Sequence, residues 1–471
     1  MLFNSFNFIV IYPLLFIAYY AIPARYAVWR NAYLLLVSLL LYMMWKPISV
    51  FFLLYVITVT YFGAILLHKT HRRKIALTTS IVLSLLPLVA VKYLNFINHT
   101  IEQALELANI PVHLQGLNWM IPIGISFFTL QALGYLLDVY RGKQEVEHDF
   151  ISYALFVSFF PCIVSGPINR ASVILPQIHN QRTYFDYAKA VEGLRMLLWG
   201  MFMKVVIADR AALYVDTVFT HYSHYTGLSC FVASVLYSIQ IYTDFAGYSL
   251  MAIGVGKTLG FDFMENFRRP YFAISITDFW RRLHISLSSW LRDYIYIPLG
   301  GNRCSRWRNY WNIFVTFLVS GIWHGANWTF IVWGCIHGIC QVLEKMFNLR
   351  DCQGGRISRA IRILFTFLIV NFAWIFFRMP TLTDACAIIG RIFNPALPLT
   401  IFIDSFTTTA FIVFGIAVLL LIDCTEEFNL KRLQGFYTHH AVVRWSTYIC
   451  AIVAILLIGV FNADQFIYAN F

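Results

Sequence analysis

The sequence predicts an all-α, polytopic integral membrane protein, and three observations carry that reading. Of its 471 residues, 59% are hydrophobic and only 12% are charged, against roughly 45–50% and about 25% in ordinary soluble domains. Apolar runs near the ~20-residue length of a membrane span recur from one end of the chain to the other. The short loops between the first of those runs alternate between basic and non-basic. So large an apolar excess exceeds what a soluble core holds, and one integral membrane domain covering residues 1–471 is expected.

The runs are 5–23, 31–45, 49–67, 75–97, 117–138, 151–168, 190–208, 228–254, 310–343, 357–378, 408–423 and 443–461. The stretch Met1 to Phe8 lacks a basic start and no cleavage site follows, so the first run is expected to stay as a membrane anchor. Arg25 and Arg30 separate the first run from the second, whereas Lys46 alone follows the second. Residues 68–74, His-Lys-Thr-His-Arg-Arg-Lys, are strongly basic; residues 98–116 carry no Lys or Arg but hold Glu102 and Glu106. Arg141-Gly-Lys143 continues the alternation. Basic loops favour the cytoplasm, which puts the N-terminus outside. Beyond residue 200 the pattern is ambiguous. Some runs are too short or too polar to cross simply, and residues 271–300 read as re-entrant, for about ten to twelve crossings in all.

The formal net charge of +12 does not point to nucleic acid. The Lys and Arg residues lie in short loops between apolar runs, where they orient the chain and meet anionic lipid headgroups. Nine cysteines are scattered without a C-x-x-C spacing, as expected of buried free thiols rather than a disulfide framework or metal site. There is no internal repeat, low-complexity tract or linker. The glycosylation pattern at Asn98-His-Thr100 recurs at Asn327-Trp-Thr329 inside an apolar run, so it carries no argument.

Two polar clusters stand out. The first is Asp278-Phe-Trp-Arg-Arg-Leu-His-Ile-Ser286, extended to Arg292 and Asp293. A continuous helix here brings Asp278 to Arg281 and Arg282, and sets Trp280, His284 and Ser288 on one face. Arg281, Arg282, Arg292 and Arg303 then suit a phosphate group or an acidic carrier; ordinary interfacial anchoring, with arginines snorkelling, is the plainer reading. The second cluster is Ser320-Gly-Ile-Trp-His-Gly-Ala-Asn-Trp328. On a helix His324, Asn327 and Trp328 share a face, so that an imidazole, an amide and an indole converge. Burial disfavours the charged imidazolium, and neutral imidazole is a competent general base for an alcohol attacking an acyl carbonyl. The amide or an indole, Trp323 or Trp328, suits oxyanion stabilisation. Against this, Gly321 and Gly325 form a small-xxx-small pair suited to helix packing, with His324 merely bonding a carbonyl. Asp244, in Tyr242-Thr-Asp-Phe-Ala-Gly-Tyr248, is a further intramembrane charge, expected to pair with an arginine of 281–292. A metal site built from His284, His324 and either Asp244 or His337 lacks ligand spacing. No phosphate loop, dinucleotide fingerprint or G-x-S-x-G elbow occurs.

At these residues the chain resembles the membrane-bound O-acyltransferase family, most closely its bacterial alginate O-acetylation branch. The resemblance runs nearly end to end, with core motifs over about 117–343. It includes Met1-Leu-Phe-Asn-Ser-Phe6, Pro122-Ile-Gly-Ile-Ser-Phe-Phe128, Asp138-Val-Tyr-Arg141, Phe159-Phe-Pro161, Ser165-Gly-Pro167 and Glu265-Asn-Phe267. Its most specific blocks are Ile276 to Arg303 and Trp323-His-Gly-Ala-Asn-Trp-Thr329. The family departs at Leu283, where a Trp is usual, and at Thr243, Ala246 and Leu250, where Phe, Ser and Asp are.

The resemblance implies a ring of transmembrane helices with re-entrant segments around a narrow tunnel. It implies His324 as the central histidine and His284 as the second, on the cytoplasmic side. Asn327, Trp323, Trp328 and Asp244 become supporting groups, and Arg281, Arg282 and Arg292 candidates for donor binding. The implied reaction is O-acylation, O-acetylation foremost, of a cell-surface or exported polysaccharide. The donor is a cytoplasmic thioester, acyl-CoA or an acyl carrier protein, with no bound cofactor or metal. The implied setting is a bacterial cytoplasmic membrane, with an extracytoplasmic SGNH-hydrolase-like partner that relays the group. The alternatives are D-alanyl transfer to teichoic acid, and a transporter or export channel, which many spans and intramembrane charges also suit; inverted repeats, which favour a transporter, are not seen.

Overall fold

The computed structural model describes residues 3–117, 119–180, 185–349, 355–430, 435, 440–461 and 467. Among them there is no strand, only one antiparallel bridge between Phe267 and Leu283; everything regular is helical. Six helices are long and apolar enough to cross a membrane, and shorter apolar helices accompany them. Many large apolar side chains face outward, among them Leu14, Ile357, Phe406, Val442 and Leu457, each more than 60% exposed. Outside a bilayer such surface is a liability, so these faces meet lipid. The chain is a multi-pass membrane protein.

Two compact units divide the chain. The first comprises residues 6–193 and 255–264. Its helices are α1 (Phe6–Ala21), α2 (Ala27–Met43), α3 (Ser49–Lys69), α4 (Arg73–Leu107), α5 (Ile125–Tyr140), α6 (Phe150–Ser158) and α7 (Ala171–His179). A π-helical turn at Val89–Tyr93 bulges α4 and carries Lys92, whose ammonium is buried and donates to Ser126 Oγ at 3.2 Å. Arg30, read from sequence as a loop charge, belongs to α2 and is buried, with Nε donating to the Ile22 carbonyl at 2.8 Å.

The second unit comprises residues 194–254 and 265–471, with residues 2–5. The helix α8 (Tyr187–Phe202) leads into it, a π-turn follows at Met203–Ala208, and α9 (Asp209–Thr220) continues. Then come α10 (Gly227–Thr258), α11 (Ile276–Arg282), α12 (Ile285–Leu291), α13 (Arg306–His324), α14 (Trp328–Met346), α15 (Arg356–Arg378), α16 (Leu382–Ile392), α17 (Phe406–Glu427) and α18 (Ala441–Ile458). Residues of the π-turn pack with Tyr242, Ala246, Leu419 and Ile455 into an apolar core.

The structure departs from the sequence expectation in two places. The apolar run 310–343 is two 19-residue helices, not one span: α13 stops at His324, and Asn327 caps α14 by accepting from the Thr329 N–H at 3.1 Å. The pair folds back as an antiparallel hairpin, because glycines let the backbones touch. A Cβ on Gly321 lies 2.4 Å from the Phe330 carbonyl oxygen, and one on Gly334 lies 2.5 Å from that of Phe317. The packing role foreseen for Gly321 is therefore real. The second correction is that 276–291 is not one helix but two short ones, α11 and α12, broken at His284.

Candidate active site

The break at His284 follows from its backbone. Its φ of +48° lies in the left-handed region, which a helix of L-residues does not continue through. Leu283 before it is extended, and the chain forms a short antiparallel ladder with residues 266–268. Arg268 N–H donates to the Arg282 carbonyl at 2.8 Å, and Ile285 N–H to the Asn266 carbonyl at 3.0 Å. Ser275 caps α11 by accepting from the Asp278 N–H at 3.0 Å. Glu344 of α14 also receives the first N–H groups of α11, Thr277 N at 2.9 Å and Ile276 N. A carboxylate is favourable at a helix start. The break also overturns the shared face expected for Trp280, His284 and Ser288.

His284 is almost wholly buried, and its Nδ1 lies 3.2 Å from Oδ1 of Asn266. That same oxygen accepts from Ser286 N–H at 3.2 Å and Ser286 Oγ at 2.9 Å. A backbone N–H can only donate, so the Asn266 atom is the carbonyl oxygen, and Nδ1 of His284 must carry the proton to bond it. Nε2 is then the basic nitrogen. Phe245 meets the ring edge-on at 4.7 Å, and Trp323 lies 5.9 Å away.

Trp323 also contacts the other histidine. His324, 3% exposed, meets Trp323 at 4.8 Å, Trp333 at 4.9 Å and Phe377 at 5.3 Å, all near-perpendicular. Both imidazoles thus lean on one indole. The aromatic wall continues through Trp333 to His337 at 4.9 Å and Trp374 at 5.7 Å. Trp280 Nε1–H donates to Nδ1 of His337 at 3.3 Å, so His337 takes the tautomer opposite to that of His284.

The remaining predicted residues divide. Asn327 and Trp328 do not converge with His324: the helix ends between them, Trp328 is 46% exposed, and the Asn327 amide donates to the Pro380 carbonyl at 2.7 Å. Asp244 pairs with Lys204, not with an arginine of 281–292. Lys204 bridges Asp244 at 2.7 Å and Asp209 at 2.6 Å, with all three side chains at most 2% exposed. Asp244 Oδ2 also accepts from the Ile467 N–H at 2.9 Å. The carboxylate is thereby engaged by Lys204 and by the Ile467 N–H.

Arg281, Arg292 and Arg303 are exposed; Arg292 reaches Asp293 at 2.8 Å. Arg282 is committed inward, to Asp278 at 3.0 Å and Glu427 at 2.8 Å. Burial alone works against the charge of nearby Arg269, but its bonds to Glu427 and Glu426 outweigh that and raise its pKa above the ordinary arginine value. Among the described residues no three His, Cys, Asp or Glu side chains are placed to hold a metal ion. His337 is engaged by Trp280, and Asp244 by Lys204.

Sequence reading missed Lys204, Asp209, Trp333, Phe377 and the roles of Asn266 and Glu427. Asn266 left a local signal in Glu265-Asn-Phe267, whereas Lys204 meets Asp244, Phe377 meets His324 and Glu427 meets Arg282 only through contacts distant in sequence.

Buried imidazoles within an aromatic wall, beside an arginine-rich surface, suit proton transfer during acyl transfer to a hydroxyl. Known proteins agree with that chemistry. The model of the membrane-bound O-acyltransferase family matches residues 22–382. The "Probable alginate O-acetylase AlgI" of Azotobacter vinelandii is 38% identical over 404 residues, 84% of this chain and 78% of that protein. The peptidoglycan O-acetyltransferase of Helicobacter pylori is 34% identical over 421 residues, 83% of this chain and 79% of that protein. The teichoic acid D-alanyltransferase of Bacillus subtilis is 27% identical over 316 residues, 63% of this chain and 76% of that protein. This chain belongs to the membrane-bound O-acyltransferase family and is a membrane-embedded acyltransferase.

Proposed function

We propose that the protein moves an acetyl group from a cytoplasmic thioester, acetyl-CoA or an acyl carrier protein, to an acceptor hydroxyl, for O-acetylation of a cell-surface or exported polysaccharide. The observation that supports this most is the contact of both His284 and His324 with one indole, Trp323, both imidazoles being buried. His324 accepts the proton of the acceptor hydroxyl, whose oxygen attacks the thioester carbonyl. The tetrahedral intermediate collapses with loss of thiolate, which then takes up a proton. A hydroxyl is a weak nucleophile unaided, so the base is where rate is gained; thiolate leaves readily without help. Trp323 lines the path between the two imidazoles. Asp244 braces α10 through Lys204 rather than touching substrate.

His284 stands on the donor side. The exposed arginines Arg281 and Arg292 receive the phosphates of CoA or the acidic surface of a carrier, while Arg282 anchors their segment. In this reading the protein lies in a bacterial cytoplasmic membrane with its N-terminus outside, and an extracytoplasmic SGNH-hydrolase-like partner takes the acetyl group onward. Acetyl transfer is preferred to D-alanyl transfer because the O-acetylating relatives match at 34–38% identity and the D-alanyltransferase at 27%.

Proteoliposomes given acetyl-CoA labelled in the acetyl group test the proposal. Labelled ester on an acceptor hydroxyl, with free CoA released in equal amount, supports it. Movement of an intact solute without CoA release makes the protein a transporter.

A further inference from the structure

Glu427 ends α17, beyond the residues that the family model matches. Its side chain is only 6% exposed, and a carboxylate so placed needs compensation. Three arginines from three segments supply it. Arg269 Nε donates to Oε2 at 3.1 Å, Arg282 Nη1 to the same oxygen at 2.8 Å, and Arg359 Nη2 to Oε1 at 2.8 Å. The neighbouring Glu426 takes a second nitrogen of Arg269 at 2.8 Å. One turn earlier on α17, Asp423 accepts from the Tyr242 hydroxyl at 3.1 Å, and the Tyr242 ring lies 6.2 Å from that of Phe267.

Two of those arginines sit on or directly beside the ladder that carries His284. Arg282 is on one arm, and Arg269 directly follows the other. Both Arg269, at φ +46°, and His284, at φ +48°, adopt the left-handed backbone that L-residues disfavour. A segment bent twice in this way relaxes unless something outside it holds both bends. Glu427 is bonded to both arms at once.

We propose that Glu427 is a positioning residue for the acyl transfer: it clamps the two arms of the 266–285 ladder through Arg269 and Arg282, and so fixes the imidazole of His284. The inference rests on His284 being part of the active site. A misplacement of about 1 Å in a reacting group costs on the order of 10²-fold in rate, so a loosened clamp shows in turnover without loss of the fold.

The test compares full-length Glu427→Gln and Glu427→Asp with the wild type in detergent and in proteoliposomes. Modification of each histidine by diethyl pyrocarbonate is followed by mass spectrometry, beside acetyl transfer from labelled acetyl-CoA. With Glu427→Gln, His284 reacts faster while His324 and His337 do not change, and transfer falls at least about 10-fold; Glu427→Asp restores most of both. Unchanged His284 reactivity overturns the proposal, and so does equal exposure of all three histidines, which marks Glu427 as a general stabiliser. His284→Asn is assayed alongside, since Asn tolerates a positive φ. Full activity there removes His284 from the active site, while the reactivity of His284 still reports on the clamp by itself.

Discussion

Asn266 fixes the tautomer of His284: its Oδ1 accepts from Nδ1 at 3.2 Å while also accepting from the Ser286 N–H and hydroxyl. The consequence is chemical rather than architectural, because it decides which ring nitrogen presents a lone pair. Asn266→Leu removes the acceptor at similar volume. The His284 ring is then free to turn, and acetyl transfer is expected to fall on the order of 10²-fold through its misplacement, with Asn266→Asp, which keeps an acceptor, less affected. Transfer rates of the two variants at equal protein level check this.

The same pair shows how far the sequence was legible. Apolar content and run length located most helices within a few residues, since a bilayer imposes length and composition on each span. The short motifs located both histidines. What they did not reveal was the backbone at His284: a positive φ at a non-glycine residue leaves no mark in composition, so a continuous helix over 278–293 was the expected reading. The break after His324 was equally hidden, because Gly325 to Asn327 interrupt an otherwise apolar run of span length. Partners such as Phe377 and Lys204 lie far from His324 and Asp244 in sequence, and only folding brings them together.

Lys204 illustrates a second consequence. It stands between Asp209 and Asp244, at 2.6 and 2.7 Å, with no solvent to replace it. Lys204→Met leaves two buried carboxylates without their countercharge, which costs about 3–5 kcal/mol when a buried pair is broken. A lower Tm in detergent and a reduced amount of folded protein are expected. The triple variant Lys204→Met, Asp209→Asn, Asp244→Asn recovers much of the loss, because no buried charge remains. Thermal unfolding of the purified variants separates the two cases.

Gly321 sits where α13 and α14 touch. A methyl group there lies 2.4 Å from the Phe330 carbonyl oxygen, so Gly321→Ala forces the hairpin apart and costs about 1–3 kcal/mol of stability. Gly390, inside α16, has nothing within 4 Å of the same added atom. Gly390→Ala is expected to raise stability by about 0.5–1 kcal/mol through helix propensity. Opposite shifts in Tm for the two substitutions are the expected result.

His324 is the proposed base that activates the acceptor. Its ring is held edge-on by Trp323, Trp333 and Phe377 at 4.8–5.3 Å, and the packing reading of the residue predicts a loss of stability when it is removed. The deciding measurement is single-turnover acetyl transfer by purified His324→Ala, with Tm recorded on the same sample. A fall of at least about 10²-fold in rate with Tm within a few degrees of wild type is predicted. Transfer at the wild-type rate contradicts the account, and His324 is then a packing residue alone.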